Sequence, residues 1–181
     1  YTYSDGPWLI AASMAPGAII GLVTAAAVAM TGLPEMVGAY NGFGGLAAAI
    51  EGFGLYLDPN ATNLMRGGDF IAEQSDEQLW VQGIALVLSI VIGMMTFTGS
   101  MVAVLKLHGT IASKPRVIPM RGIVTLLDFV AMAVFGALAF SGKQSWNDRD
   151  TGLFYLIIVA VIAGMYGVTA VMAIGGGDMP V

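Results

Sequence analysis

An all-α integral membrane bundle of about five transmembrane helices is the fold class this sequence predicts. Charged residues make up 10% of the chain and hydrophobic residues 57%, whereas a soluble domain carries about 25% charged residues. Five apolar runs are each long enough to cross a hydrocarbon core, which needs roughly 20 helical residues. These runs are continuous, not alternating, so they suit helices and not barrel strands.

The first run covers about 8–30, with Pro16 as an expected kink. The second covers 34–57; Gly32 sits in the turn before it and Pro34 suits a first helical turn. The short Thr31–Leu33 connection makes these two helices an antiparallel hairpin. The third covers 77–107 and is the longest, so it is expected to tilt or to begin outside the lipid. The fourth covers 122–140 and the fifth 152–174. Together they are expected to form a single membrane domain over 1–181. The chain begins at Tyr1 and ends at Val181 inside an apolar stretch, which reads as a trimmed or processed chain.

Charge sets the expected orientation. The connection over 58–76 carries Asp58, Asp69, Glu73 and Asp76 against Arg66 alone. Its Asn60-Ala61-Thr62 also fits a glycosylation sequon, a pattern common by chance. The connection over 106–121 carries Lys106, Lys114, Arg116, Arg121 and His108, the one histidine of the chain. Lys and Arg favour the cytoplasmic, matrix or stromal side, so the basic connection is expected there and the acidic one opposite. Trp8, Trp80 and Trp146 suit the interfacial aromatic belt.

Glycine patterning supplies packing handles. Gly17 with Gly21, Gly38 with Gly42, and Ser89 with Gly93 each form a small-xxx-small face. Close packing within the bundle is the plain expectation, and docking onto a partner helix the sharper one.

Polar residues inside spans are costly and need a reason. Asn41 suits a helix-to-helix hydrogen bond or a water path. Glu51 suits the interface near the acidic connection. Asp128 suits a relay carboxylate or a partner for Arg121 or Lys114. Lys106 suits a snorkelling interfacial anchor, and His108 a solvated loop side chain. No metal site is expected, because the chain has no cysteine and one histidine. A net charge of −5 without a basic stripe excludes nucleic acid as a partner. No catalytic triad, phosphate loop or dinucleotide fingerprint is present; Gly42-x-Gly44 lies in a membrane helix.

Three stretches carry a resemblance: Met30-Thr-Gly-Leu-Pro-Glu-Met-Val-Gly-Ala-Tyr-Asn-Gly-Phe-Gly-Gly-Leu-Ala-Ala, Thr96-Phe-Thr-Gly-Ser-Met-Val-Ala-Val-Leu-Lys-Leu-His-Gly-Thr-Ile-Ala-Ser-Lys-Pro, and Gly175-Gly-Gly-Asp-Met-Pro-Val. In this order the chain resembles the β-subunit membrane domain of proton-translocating nicotinamide nucleotide transhydrogenases. The resemblance implies a helical domain that passes protons while NADH reduces NADP⁺ on soluble domains outside the membrane. It places Asp178 in the turn that links the membrane domain to the NADP-binding domain. It places Asn41 where many members have a proton-relaying histidine, and Asn does not titrate near neutral pH. Three further departures stand out. Thr24-Ala-Ala-Ala-Val-Ala replaces basic residues, Asp128 has no usual counterpart, and the helices and NADP domain that normally follow are missing.

Two functions follow from this. One is a non-catalytic accessory subunit of a larger photosynthetic or respiratory complex, in a thylakoid, mitochondrial inner or bacterial inner membrane. The other is the proton-translocating segment of an active transhydrogenase, its path lined by Asn41, Asp178 and Asp128. In both, the partners are membrane lipid and other membrane subunits or nucleotide-binding domains. No cofactor is expected in this chain, with NAD and NADP held by domains elsewhere.

Overall fold

A computed structural model describes residues 6–57, 76–112, 114–115, 120–140 and 149–174. Asp178, the acidic connection with its Asn60 sequon, Arg116 and Trp146 lie outside the described residues. Among the described residues there are five α-helices and no strand. They are α1 (Gly6–Ala27), α2 (Leu33–Leu57), α3 (Asp76–Leu107), α4 (Arg121–Phe140) and α5 (Arg149–Met172). A short 3-10 turn, Met30–Gly32, leads into α2. Helix α1 runs on through Pro16.

Four of the helices are long and apolar enough to cross a membrane: Trp8–Ala27, Gly83–Leu107, Arg121–Ala139 and Thr151–Met172. At 25 residues α2 has the length. It falls short in apolar character, because glycines and Glu35, Asn41 and Glu51 dilute its aliphatic content.

Helix α3 is the spine. It packs on α2 along one side and on α5 along another, and α4 packs mainly on α5. The paired residues give the directions. Gly38 lies against Val104, Gly42 against Met101, and Gly52 against Ile90, so α2 and α3 are antiparallel. Gly164 meets Met94 and Gly99 meets Val171, so α3 and α5 are parallel. Phe129 meets Tyr166 and Phe135 meets Tyr155, so α4 runs antiparallel to α5 and hence to α3. The start of α2, the end of α3, the start of α4 and the end of α5 therefore share one end of the bundle.

Apolar side chains have no hydrophobic reason to leave lipid, so close packing must hold these helices together. The α2–α3 seam shows how. Its α2 stripe is Gly38, Gly42, Gly45, Ala49, Gly52 and Tyr56, all buried. A Cβ on Gly45 would sit 2.7 Å from the Gly93 carbonyl oxygen, and one on Gly93 would sit 2.6 Å from the Ala49 nitrogen. Backbone meets backbone here. Ser89 Oγ adds a hydrogen bond to the Ala48 carbonyl at 2.9 Å.

Ile90, Leu156, Val159 and Ala163 are fully buried where α3 and α5 meet. Phe129 stacks edge-on against Tyr166, centroids 5.1 Å apart, and closes the α4–α5 seam. Across α3–α5, Thr98 Oγ1 lies 2.9 Å from the Gly164 carbonyl and 2.9 Å from its own helix's Met94 carbonyl. The one hydroxyl proton is shared between these acceptors. Thr98→Val should therefore lower stability by only about 0.6 kcal/mol, a usual value for an interhelical hydrogen bond in a membrane. A small shift in the thermal midpoint of the detergent-solubilised protein is the result to look for.

Helix α1 stands apart. None of Trp8–Ala27 is buried, and a Cβ on Gly17 or Gly21 would meet nothing within 4 Å. Its recorded side-chain tie is a short hydrogen bond between the Thr24 and Tyr40 hydroxyls.

Candidate functional site

The polar groups of the α2–α3 seam are placed by its glycines. Gly42 lets α2 approach until a Cβ there would lie 3.2 Å from the Ser100 Cβ. The neighbouring Asn41 then reaches across, and its Nδ2 donates to Ser100 Oγ at 3.0 Å. Asn41 is exposed on the flank of the seam and Ser100 is half-buried. An amide and a hydroxyl can each donate and accept at once, so the pair can pass a hydrogen-bond chain from one helix to the other. Sequence reasoning named Asn41 and missed Ser100. Ser100 lies inside the stretch that carried the strongest resemblance, so the signal was there.

A second polar group gathers at the shared end of the bundle. Lys106 is 5% exposed. Its Nζ donates to the carbonyls of Val171 at 3.0 Å, Met172 at 3.2 Å and Ile174 at 2.8 Å. This corrects the expectation of a snorkelling anchor. The ammonium turns inward because the last carbonyls of α5 lack partners within their own helix and carry its negative dipole end. Three donors on one compact cation meet three acceptors.

His108 follows one residue after the end of α3. It is exposed, as expected of a solvated side chain, yet it has a partner. Its Nδ1 lies 3.3 Å from Glu35 Oε2, with side chains 69% and 36% exposed. Glu35 sits in the first turn of α2, far away in sequence, so no local pattern announced the pair. Lys114 and Arg121 are exposed at the same end.

The other expected site residues fall elsewhere. Asp128 is half-buried on α4 and makes no ion pair with a described residue. Arg121 begins the same helix seven residues earlier, about 10 Å of axial rise away, and so does not reach it. Because α4 packs on α5 and lightly on α3, Asp128 is not brought to Asn41. Glu51 is exposed near the far end of α2. An open cleft between α4 and α5, lined by Arg121, Thr125, Tyr166 and Thr169 among others, lies away from the α2–α3 seam. No group of three His, Cys, Asp or Glu that could hold a metal occurs among the described residues.

Comparison with known proteins adds two findings. The family profile described as NAD(P) transhydrogenase beta subunit matches residues 2–181. The NAD(P) transhydrogenase subunit beta of Rhodospirillum rubrum is 33% identical over 174 residues, which is 96% of this chain and 34% of the relative. A second sequence of that name, from a strain of the same bacterium, gives the same figures. The chain thus spans about a third of the length of the curated relatives it matches. No solved structure matches the chain.

Proposed function

The chain belongs to the NAD(P) transhydrogenase beta subunit family, and on that premise we propose that it forms the membrane segment through which such a subunit passes protons. The observation that carries this reading is the Asn41–Ser100 hydrogen bond across the α2–α3 seam. Neither side chain titrates near neutral pH. Their role is to order a hydrogen-bonded chain along which protons hop, not to store a proton. Asp178 remains a proposed member of that path, at the link to the nucleotide-binding parts, whereas Asp128 on α4 stands apart from it.

In this reading NAD and NADP are held by domains outside this stretch of chain, and those domains are its partners together with other membrane subunits and lipid. Its membrane is an energy-transducing one. The basic end, with Lys114 and Arg121, faces the cytoplasm, matrix or stroma.

Asn41→Ala in the complete subunit, within its native membrane vesicles, is the direct test. Losing one hydrogen bond of about 1–1.5 kcal/mol along the path lowers nucleotide-driven proton uptake roughly tenfold. Asn41→His should keep uptake and give it a new dependence on pH around neutrality.

One observation favours a second reading, a non-catalytic accessory subunit. No residue of Trp8–Ala27 on α1 is buried, which suits docking in a larger complex. Unchanged proton uptake in Asn41→Ala, with the chain co-purifying with respiratory or photosynthetic subunits, would select it.

A further inference from the structure

A path through Asn41 and Ser100 needs a group that takes a proton from bulk water and releases it to the path, since an amide and a hydroxyl only conduct. We infer that Glu35 and His108 form this proton-loading site, at the mouth of the α2–α3 seam. The inference rests on the reading of that seam as a proton path.

Placement is the first argument. Both pairs join the same two helices. Glu35 and Asn41 are six residues apart on α2, about 9 Å of rise, and Ser100 and His108 are eight apart along α3 and its exit, about 12 Å. The two pairs therefore sit about two turns apart along one seam. Between them Gly38 and Val104 pack closely, and Asn41 lies exposed at the edge of the seam. Tyr40, next to Asn41 in sequence, exchanges a hydrogen bond with the Thr24 hydroxyl of α1.

Chemistry is the second. Histidine is the side chain that gains and loses a proton around neutral pH, and a carboxylate beside it can accept or steady that proton. The contact distance of 3.3 Å permits exchange between Nδ1 and Oε2. Exposure of both groups gives bulk water access, which a loading site requires.

Elimination is the third. The other charged groups at this end are placed differently. Lys106, on the same helix, is turned to α5 and spends its three donors there. Lys114 and Arg121 are exposed and make no ion pair with either member. The last turns of α5 bring no charged side chain among the described residues, and the turn Met30–Gly32 brings none. Tyr40, the next titratable neighbour on α2, is turned to the Thr24 hydroxyl of α1.

The step balances simply. A hydronium gives its proton to the unprotonated ring nitrogen of His108, forming the imidazolium. That N–H bond breaks as the proton passes to a water molecule at the mouth of the seam, and the neutral imidazole is regenerated.

The test uses the complete subunit in native membrane vesicles, with nucleotide-driven proton uptake read by a pH dye from pH 6 to 8.5. Three variants are compared: Asn41→Ala, His108→Ala and Glu35→Gln. His108→Ala should slow uptake roughly tenfold above pH 7 and much less at pH 6, where free hydronium is more abundant. Added imidazole should restore it, which no loss of structure would allow. Glu35→Gln should shift the pH profile with a smaller loss of rate. Uptake lost in Asn41→Ala but with an unchanged pH profile in His108→Ala would overturn this inference and leave the path standing. Uptake unchanged in Asn41→Ala would overturn the path and the loading site together.

Discussion

Gly93→Leu should drive α2 away from α3 and leave the bundle without the seam that holds α2. A Cβ at this position would lie 2.6 Å from both the Gly45 oxygen and the Ala49 nitrogen, and 3.0 Å from the Ala49 Cβ. Two of these three neighbours are backbone, which no rotamer change can move. Overpacking a core usually costs about 1–3 kcal/mol, and a clash with backbone belongs at or above the top of that range. Lipid offers no hydrophobic force to push the helices back together, so separation is the relaxed outcome. The chain has no cysteine, which makes the measurement clean. Cysteines placed at Ala48 and Ser89, whose parent residues share a 2.9 Å hydrogen bond, should cross-link efficiently with a short bifunctional thiol reagent in the parent. They should fail to do so in Gly93→Leu. Gly44→Ala and Gly54→Ala are the controls, because a Cβ at either meets nothing within 4 Å. Equal cross-linking in Gly93→Leu would mean that the seam is not the contact that holds α2.

The same contrast shows what was legible in the sequence. Continuous apolar runs announce a helical bundle because lipid leaves the backbone no other way to satisfy its polar groups. Which runs touch is another matter. Gly17 with Gly21 and Gly38 with Gly42 have identical spacing. Gly38 and Gly42 lie buried against α3, while open space surrounds Gly17 and Gly21. Helical period tells which residues share a face, not which helix that face meets. Asn41 was legible because a polar side chain in a span must find a partner. Ser100 was not legible from polarity, because serine can satisfy itself on its own helix; only the resemblance covered it. Glu35 and His108 each look like ordinary interfacial residues until antiparallel α2 and α3 bring them together. Glycine dilution also keeps α2 out of the set of helices apolar enough to cross a membrane on composition alone, although six of its residues lie buried against α3.

Lys106→Arg should destabilise the end of α5 nearly as much as Lys106→Met. A surface anchor chosen for charge would tolerate arginine, which keeps the charge and reaches the interface at least as well. The geometry at Lys106 asks for something else. Its three acceptors, Val171, Met172 and Ile174, converge on one nitrogen at 2.8–3.2 Å. A rotatable ammonium presents three donors from a point, whereas a guanidinium spreads its donors over a rigid plane too wide for this cradle. Met fills comparable space and supplies no donor. It relieves the desolvation of a buried cation but leaves the carbonyls and the negative helix end unanswered. Half-buried acceptors that lose their partners forfeit about 1 kcal/mol each, so a loss of about 2–4 kcal/mol is expected for Met. The measurements are thermal unfolding in detergent and amide exchange over α5. Exchange at Ala173 and Ile174, whose amides bond to Thr169 and Val171, should rise in both variants while exchange around the buried Val159 stays slow. Full retention of stability in Lys106→Arg would return this residue to the role of a charged anchor. Loss in both variants would establish that the helix bearing Ser100 also holds the end of α5, through one ammonium on three carbonyls.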